Sequence, residues 1–166
     1  MPENIQIKAV VITVSDSRDE KADLSGVTLV GLLLAAGALV TDKIIVTDDT
    51  DKIAAALIAY SEREDVNLIV TTGGTGLAPR DNTPEATLQV IEKQVPGMAE
   101  AMRLKTLDQT PKAMLSRGVC GIRGKCLIIN LPGSPGGVRE CFEIVKPVLQ
   151  HAVNLLNGKT QQHPHE

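Results

Sequence analysis

The sequence predicts a three-layer α/β/α domain with a mostly parallel central sheet. Short apolar runs rich in β-branched residues alternate with segments that repeat apolar residues at helical spacing, which is typical of parallel strands joined by crossover helices. Two of the apolar runs lead directly into glycine-rich turns, as strands do where an open α/β sheet binds a ligand. For a chain of 166 residues, we expect one domain over residues 1–158 and a polar tail over residues 159–166.

The first strand is predicted over Lys8–Ser15, and a charged loop follows it over residues 16–23. We expect three acidic side chains of this loop to be solvated: Asp19, Glu20 and Asp23. Ser25 is suited to cap a helix that continues to about Ala36, after which Gly37 ends it. Because this helix is apolar on two faces, we expect one face to pack on the sheet and the other against a second subunit.

A second strand is predicted over Leu39–Thr47, and it leads into Asp48 and Asp49. Asp49 or Thr50 is expected to cap the next helix. The apolar face of that helix is formed by three residues at helical spacing: Ile53, Leu57 and Tyr60. A third, shorter strand over Leu68–Thr72 is predicted from its continuous apolar and β-branched composition.

A glycine turn follows this third strand and reads TTGGTG over residues 71–76. Its glycines let a ligand approach the main chain, and its threonines add hydroxyl groups: Gly73, Gly74 and Gly76, with Thr72 and Thr75. Asp81 comes next, and Thr83 is suited to the N-cap of a helix whose first residue is Pro84. The order of strand, glycine turn, acid and helix N-terminus favours a phosphate site over a plain turn.

Two common phosphate-binding motifs are absent from this turn. The Walker A motif requires Gly-Lys followed by Ser or Thr, and the third glycine of the dinucleotide fingerprint would fall at Pro79. An unrelated NAD-dependent enzyme is therefore disfavoured.

The second half of the chain predicts two more helices and a hairpin before a final helix. The helix from Pro84 is expected to bury three residues on one face: Leu88, Ile91 and Val95. Pro96 is expected to start another helix. Ala113–Ile122 and Lys125–Leu131 read as two strands joined by a turn at Arg123-Gly124.

The strand that ends at Leu131 runs into PGSPGG, residues 132–137, and so repeats the order of strand, glycine turn and helix start. Ser134 is suited to cap the last helix and Pro135 to open it, and we expect this turn to form a second wall of the ligand site. The inward face of the last helix is predicted to hold Val138, Cys141, Val145, Val148 and Ala152. Pro147 is expected to kink or restart the helix.

Three residues near these turns have two open interpretations, and two more are spaced for an ion pair. Ser15 and Asp16 lie at the carboxyl end of the first strand and either line the site or belong to the solvated loop. Glu100 and Arg103 are spaced for a local ion pair. Arg117 is either a phosphate contact, because guanidinium suits oxyanions, or a charge at the edge of a strand.

Two carboxylates, Asp48 and Asp81, are predicted at the same edge of the sheet as the glycine turns. Carboxylates repel phosphates unless a cation lies between them, and Mg²⁺ is typically held by one or two carboxylates plus substrate phosphates. A metal nucleotide is therefore favoured over a bare anion. The alternative roles are helix capping for Asp48 and a charge near a helix N-terminus for Asp81.

Composition excludes several other classes of protein. Apolar residues make up 43% of the chain and the net charge is −3, so we expect an ordinary globular protein without a nucleic-acid partner. No apolar stretch of about 18 residues predicts a membrane span, and no apolar signal core follows the first residues. The three cysteines lack CxxC spacing, which favours a reduced, cytoplasmic protein without a zinc site. His163 and His165 lie in the polar tail without evident partner ligands.

Several segments occur together in an order that matches one known family. The most specific is TTGGTG followed by Arg80-Asp81 and by TPEAT at residues 83–87. The weaker segments are TVSD at 13–16, Asp48 after a strand, PGMAEAMR at 96–103, LSR at 115–117 and LPGSPGG at 131–137. Together they cover nearly the whole chain and resemble the Mog/MoaB family of molybdenum-cofactor biosynthesis proteins, which includes the G domain of gephyrin.

The resemblance implies a molybdopterin adenylyltransferase, which transfers AMP from ATP to the terminal phosphate of molybdopterin with Mg²⁺ and releases pyrophosphate. By position, it implies that Asp48 and Asp81 are the catalytic acids and metal ligands. The predicted substrate- and nucleotide-binding set is Ser15, Asp16, Thr72, Gly73, Gly74, Thr75, Gly76, Glu100, Ser116, Pro132, Gly133 and Ser134.

The resemblance also implies a homotrimer or homohexamer, and contact with the downstream molybdenum-insertion protein. The short tail with its HPH sequence is more similar to the MoaB branch. No catalytic triad is evident, but a phosphate monoester with a second pKa of about 6 is ionised at neutral pH and can itself be the nucleophile. The alternative is a non-catalytic molybdopterin-binding or scaffold protein of the same fold, against which the retention of both acids argues.

Overall fold

The computed structural model describes residues 3–159, and the predicted histidine-containing tail lies outside this range. The strands are β1 Lys8–Val14, β2 Leu39–Val46, β3 Leu68–Thr72, β4 Lys93–Gln94, β5 Cys120–Arg123 and β6 Cys126–Leu131. The helices are α1 Leu24–Ala35, α2 Thr50–Ser61, α3 Thr83–Val90, α4 Pro96–Thr106 and α5 Pro135–Leu156, with a 3₁₀ helix over Pro111–Leu115.

The strands form one sheet in the order β2-β1-β3-β6-β5-β4. The pairs β1–β2, β1–β3 and β3–β6 are parallel, while β5 pairs antiparallel with both β6 and β4. The predicted α/β fold with a mostly parallel sheet is therefore confirmed. Because four neighbouring strands point the same way, their carboxyl ends lie together at one edge of the sheet.

Both faces of the sheet are covered by helices. Neighbouring residues of β1, β3 and β6 point alternately to two core clusters, which explains why these strands are apolar without alternation. On one face, Val11, Val70 and Ile129 pack with buried residues of α1, α4 and α5. On the other face, Val10, Ile69 and Ile128 pack with buried residues of α2 and α3. No helix within residues 3–159 is long and apolar enough to cross a bilayer.

The start of α1 differs from the sequence prediction. Asp23, rather than Ser25, is the N-cap, and its Oδ1 accepts a hydrogen bond of 3.0 Å from the N–H of Gly26. The expectation that Asp23 is solvated was wrong: its other oxygen accepts from the Thr13 hydroxyl at 2.8 Å and pairs with the Lys43 ammonium at 2.7 Å. A buried carboxylate is tolerated here because it is paired and hydrogen-bonded.

The outer face of α1 is apolar, as predicted, and it is exposed in the single chain. Leu24, Val27 and Leu34 are 55–66% exposed. Whether a second subunit covers this face stays a prediction.

Helix α3 starts one residue earlier than its predicted capping pattern and ends sooner. Its N-cap is Asn82, so the Thr83 hydroxyl is available to donate to the carbonyl of Gly73 at 2.9 Å. The helix ends at Val90, and therefore the predicted apolar face is wrong: Leu88 is exposed, and Ile91 and Val95 lie beyond the helix. The buried face instead consists of Thr83, Pro84, Ala86, Thr87 and Val90.

The strand predicted over Ala113–Ile122 is shorter than expected. Thr110 caps the 3₁₀ helix with its hydroxyl, which accepts from the N–H of Lys112. The guanidinium of Arg103 donates to the carbonyl of Gly118 at 2.8 Å and to that of Ser116 at 3.4 Å. Residues 116–119 precede the strand, although the carbonyl of Val119 already accepts from the N–H of Asn130 at 3.0 Å. The pairing of β5 with β6 begins only at Cys120, and the hairpin turns at Gly124-Lys125.

Helix α5 begins as predicted, with the Ser134 hydroxyl accepting from the N–H of Gly137 at 3.1 Å. Its inward face differs at the far end, where Val148 is 46% exposed and Ala152 is half-buried. Leu149 and Val153 are buried in their place. The helix continues through Pro147 and is not restarted there.

The three cysteines are free and buried in the described structure: Cys120, Cys126 and Cys141. Burial raises the pKa of the Cys120 and Cys126 thiols to about 12 and that of Cys141 to about 11. The thiols are therefore packing groups rather than nucleophiles at neutral pH.

Candidate functional site

The two glycine turns meet at the carboxyl edge of the sheet. The N–H of Gly73 donates to the carbonyl of Leu131 at 3.2 Å, and the Thr72 hydroxyl donates to the carbonyl of Pro132 at 2.7 Å. A Cβ on Gly133 would lie 3.3 Å from the Cα of Gly73. The pairing of β3 with β6 thus continues past the strand ends and binds one turn to the other.

Gly73 and Gly74 are required by backbone angle and by packing. Their φ angles are 98° and 69°, a region that glycine adopts far more readily than other residues. A Cβ on Gly73 would overlap the carbonyl of Val14, and one on Gly74 would overlap the Thr83 hydroxyl and lie 3.2 Å from Oδ1 of Asp48. These glycines therefore let three strand ends and a helix start come together.

Three carboxylates lie on the side of this turn that faces β1 and β2. They belong to Asp48, which is only 9% exposed, and to Asp16 and Asp81. Burial raises the pKa of the Asp48 carboxyl, and the carboxylates of Asp16 and Asp81 raise it further. The expectation that Asp48 and Asp81 lie at one edge of the sheet is met, and their repulsion marks a place where a cation would be stabilised.

Asp16 is held by an arginine from the neighbouring loop. The Arg80 guanidinium donates to both carboxylate oxygens of Asp16, at 2.5 and 2.9 Å, and contacts Oδ1 of Asp49 at 3.3 Å. Oδ1 of Asp16 also accepts from the N–H of Asp48 at 3.0 Å. The Arg80 hydrogen bond is the main reason that the pKa of Asp16 falls to about 2, so this carboxylate is ionised at neutral pH.

Asp81 belongs to a tight loop that Arg117 supports. Oδ2 of Asp81 accepts from the N–H of Ala78 at 3.0 Å. The Arg117 guanidinium donates to the carbonyls of Gly76 and Asp81, each at 2.8 Å, and pairs with Glu85. The interpretation of Arg117 as a charge at the edge of a strand was wrong, since the residue lies outside a strand. Its guanidinium binds the loop, and a phosphate contact stays a prediction.

A cavity of about 510 Å³ opens on the other side of the glycine turn. Its wall is largely apolar, with Arg103, Lys112 and Glu140 as its charged residues. The full lining is Thr75, Gly76, Leu77, Ala99, Met102, Arg103, Thr106, Thr110, Lys112, Ala113, Leu115, Ser116, Gly118, Asn130, Pro132, Ser134, Gly137, Glu140 and Cys141. The volume is in the usual range for a small-molecule site.

The predicted site residues therefore divide between two neighbouring areas. The cavity is lined by five of them: Thr75, Gly76, Ser116, Pro132 and Ser134. The acidic side contains Asp16, Asp48 and Asp81, and Gly74 lies beside Asp48.

Five predicted site residues lie elsewhere or have protein partners. Thr72, Gly73 and Gly133 join the two turns, as described above. Ser15 accepts the N–H groups of Ser17 and Arg18 with its hydroxyl oxygen. Glu100 is exposed on α4, outside the cavity lining, and Arg103 binds main-chain carbonyls rather than pairing with it.

Sequence reasoning missed two kinds of residue at the site. Arg80 and Asn82, which flank Asp81, were not recognised as contacts to the Asp16 and Asp48 loops, although three polar residues in succession after a glycine turn are a usable signal. The cavity wall formed by α4 and the 3₁₀ helix was also missed, because part of that wall was predicted to be a long strand. A proline after a threonine at residues 110–111 could have indicated the capped turn.

The acidic side fits a divalent cation that is shared with a substrate. Within residues 3–159, no group of three or more His, Cys, Asp or Glu side chains is arranged to hold a metal by itself. Mg²⁺ does not require such a group, since it usually keeps waters and takes one or two carboxylates together with phosphates. Asp48 and Asp81 would supply that number of ligands, while the Arg80 ion pair engages Asp16.

Comparisons with known proteins point to one family. Residues 10–151 match a family model described as a probable molybdopterin binding domain. The molybdopterin adenylyltransferase of Helicobacter pylori is 49% identical over 118 residues, which cover 71% of this chain and 67% of that protein. The molybdenum cofactor synthesis protein cinnamon of Drosophila melanogaster is 44% identical over 88% of this chain, although the chain spans only 25% of that protein's length.

A solved structure shows the same fold. The crystal structure of the molybdopterin biosynthesis enzyme MoaB from Thermus thermophilus is similar with a TM-score of 0.85 and 45% identity, covering 93% of this chain and 98% of that one.

Proposed function

Since the chain belongs to the family of probable molybdopterin binding domains found in molybdenum-cofactor biosynthesis proteins, we propose that it transfers AMP from ATP to the terminal phosphate of molybdopterin. The relative from Helicobacter pylori, named a molybdopterin adenylyltransferase, supports this activity by its 49% identity. Molybdopterin and ATP are the substrates, and Mg²⁺ is the metal.

The observation that carries the proposal is the arrangement around the TTGGTG turn. Carboxylates of Asp48 and Asp81 lie on one side, and a cavity of about 510 Å³ opens on the other. A metal–phosphate group on the acidic side and an organic group in the cavity would bring two substrates to one turn. Holding two reactants in one geometry supplies much of the catalysis in such transfers.

The reaction needs little covalent chemistry from the protein. An oxygen of the terminal phosphate of molybdopterin forms a bond to the α-phosphorus of ATP, and the bond from that phosphorus to the oxygen that bridges to the β-phosphate breaks, releasing pyrophosphate. A bound Mg²⁺ would neutralise charge on the phosphates. Asp48 and Asp81 would hold the metal, and main-chain N–H groups of residues 74–76 would contact phosphate oxygens. The N–H of Gly73 is already bonded to Leu131.

The walls of the cavity orient the second substrate group without aromatic stacking. The described lining contains no aromatic residue, so a flat heterocycle would be held by aliphatic side chains such as Leu77 and Met102 and by polar atoms of Ser116. Lys112 and Arg103 outnumber Glu140 in the lining, and this net positive charge suits a phosphorylated ligand.

Incubation with ATP, Mg²⁺ and molybdopterin, followed by detection of adenylylated molybdopterin and pyrophosphate, tests the proposal. Asp81→Asn and Asp48→Asn are expected to lower turnover sharply while keeping the fold. The exposed Asp65→Asn, which affects only a pair with Arg63, is the matched control. Wild-type protein that binds molybdopterin but forms no adenylylated product would exclude the transferase and favour the scaffold.

We also propose that the protein acts as a homotrimer or homohexamer that passes its product to the molybdenum-insertion protein. The exposed apolar side chains of α1 support an assembly, because a helix that is apolar on both faces is usually covered on both. Sedimentation equilibrium measures the number of subunits, and a monomer would contradict this assembly.

A further inference from the structure

The main chain of Asp48 is held on both sides by the residues that flank Asp81. The side-chain amide of Asn82 donates to the carbonyl of Asp48 at 3.0 Å. The N–H of Asp48 donates at 3.0 Å to Asp16, and Arg80 holds that carboxylate with two hydrogen bonds. Arg80 and Asn82 are the residues immediately before and after Asp81.

These contacts join loops that the sheet alone does not join. Asp48 follows β2, Asp81 precedes α3, and Asp16 follows β1, so three crossover connections meet through side chains. In the sheet, β1 lies between β2 and β3. These side chains thus help to set the relative position of the Asp48 and Asp81 carboxylates, together with strand pairing and with the contacts of Arg117 to the Asp81 loop and of Thr83 to the glycine turn.

We propose that Arg80, Asp16 and Asn82 are positioning residues that hold the Asp48 and Asp81 carboxylates at the separation a divalent cation requires when it is bound together with nucleotide phosphates. The inference rests on the proposed function insofar as that function requires a metal nucleotide at this site. In this role the three side chains take no direct part in the reaction, because each acts through the loop that carries Asp48.

The exposure of the contacts separates this role from a general role in stability. The side chains of Arg80 and Asp16 are 56% and 41% exposed, and exposed ion pairs contribute little to folding. Metal affinity is far more sensitive, because loss of a group that orients a ligand typically weakens metal binding or activity about 10- to 100-fold. A folded variant with a weakened metal site is therefore the expected result.

Binding of Mn²⁺, followed by the electron paramagnetic resonance of the free ion, tests the role without turnover. Arg80→Gln and Asn82→Ala are expected to weaken Mn²⁺ binding in the presence of a non-hydrolysable ATP analogue by about 10-fold or more. Asp16→Asn keeps an oxygen that can accept a hydrogen bond from the N–H of Asp48, so this variant should lose less Mn²⁺ affinity. In Arg80→Gln, faster hydrogen exchange of the Asp48 amide would report the loosened loop directly.

Two remote variants provide matched controls. Arg63→Gln breaks an exposed two-bond pair with Asp65, and Asn157→Ala removes an amide that donates to the carbonyl of Val153 at 2.9 Å. Both should bind Mn²⁺ as the wild type does. Equal Mn²⁺ affinity in the site variants and the controls would overturn the proposal.

Three further outcomes separate this inference from its alternatives. If Arg80→Gln weakened the binding of metal-free ATP as strongly as the binding of the Mn²⁺ complex, Arg80 would be a phosphate contact and its positioning role would be overturned. If the wild type binds Mn²⁺ and the site variants show these losses, but the wild type transfers no AMP, the positioning role is supported and only the proposed reaction is overturned. Wild-type protein that binds no Mn²⁺ would overturn the inference itself.

Discussion

Gly133 packs directly against Gly73, so that a methyl group on Gly133 would lie 3.3 Å from the Cα of Gly73. We expect Gly133→Ala to push the two glycine turns apart and to destabilise the protein by about 1–3 kcal/mol, as overpacking usually does. The melting temperature would then fall by several degrees for a domain of this size. Substrate affinity, measured by isothermal titration, should fall with it because both turns border the site.

Gly136→Ala is the control for this substitution. A Cβ on Gly136 meets no atom within 4 Å, and the residue lies inside α5, where alanine is preferred to glycine by roughly 0.5–1 kcal/mol. Its melting temperature should stay or rise. A stable Gly133→Ala variant with unchanged affinity would show that the approach of the two turns does not matter.

Thr72 connects the turns through one hydrogen bond and should be a structural residue rather than a ligand contact. Its side chain is fully buried and donates to the carbonyl of Pro132 at 2.7 Å. We expect Thr72→Val to cost about 1–3 kcal/mol by leaving that carbonyl without its donor. Urea unfolding measures the loss, and ATP affinity of the folded variant should change little.

Thr41→Val offers a comparable change on β2, where the hydroxyl donates to the carbonyl of Ala9 at 3.3 Å, away from both turns. It should affect stability less, because this hydrogen bond is longer and Thr41 is only half-buried. A Thr72→Val variant that keeps its stability but loses ATP affinity would restore Thr72 to the nucleotide-binding set.

The strands were predictable because their burial leaves a strong sequence signal. Leu68–Thr72 was predicted with its observed bounds, since a strand covered on both faces is continuously apolar and β-branched. The meeting of Asp48 with Asp81 was predictable for the same reason, because both follow strands whose carboxyl ends share one edge. These inferences depend on the direction of the main chain and on few side-chain details.

Other features depend on side-chain contacts between distant segments, which periodicity does not reveal. Asp23 looked like one more charged loop residue, but Thr13 and Lys43 lie in strands on either side of its position and pair with it. Residues 116–119 look extended, yet Arg103 of α4 binds their carbonyls. Arg80 and Asn82 were missed at the site because their partners lie in loops that only the folded sheet brings near.

Asp23 should make stability depend on pH in the acid range. Burial raises the pKa of Asp23, but the Lys43 ammonium and hydrogen bonds from Thr13 and Gly26 outweigh it, so the net pKa lies below the usual value of 3.8. A depressed folded pKa gives stability that is present above the unfolded value and is lost as pH falls through the folded value. Asp23→Asn should therefore be less stable than wild type at pH 7, by about 1–3 kcal/mol.

Urea unfolding of wild type and Asp23→Asn at several pH values measures this dependence. The difference between them should stay nearly constant from pH 7 to pH 5 and shrink as pH falls below about 3.8. In a Lys43→Met background the dependence should be weaker, since the ammonium that favours the carboxylate is gone. A difference that widens towards low pH would contradict the assignment.

The cavity should accept one substrate group and can be filled without touching the acids. Ala113 lines the cavity and is half-buried, whereas its neighbour Met114 is 67% exposed and outside the lining. Ala113→Phe is expected to lower the affinity of one substrate about 10-fold or more by occupying its space, while Mn²⁺ binding at Asp48 and Asp81 stays unchanged. Separate titrations with ATP and molybdopterin would show which substrate the cavity holds. Met114→Phe should leave both affinities unchanged, and equal affinities in the two variants would mean that neither substrate uses the cavity.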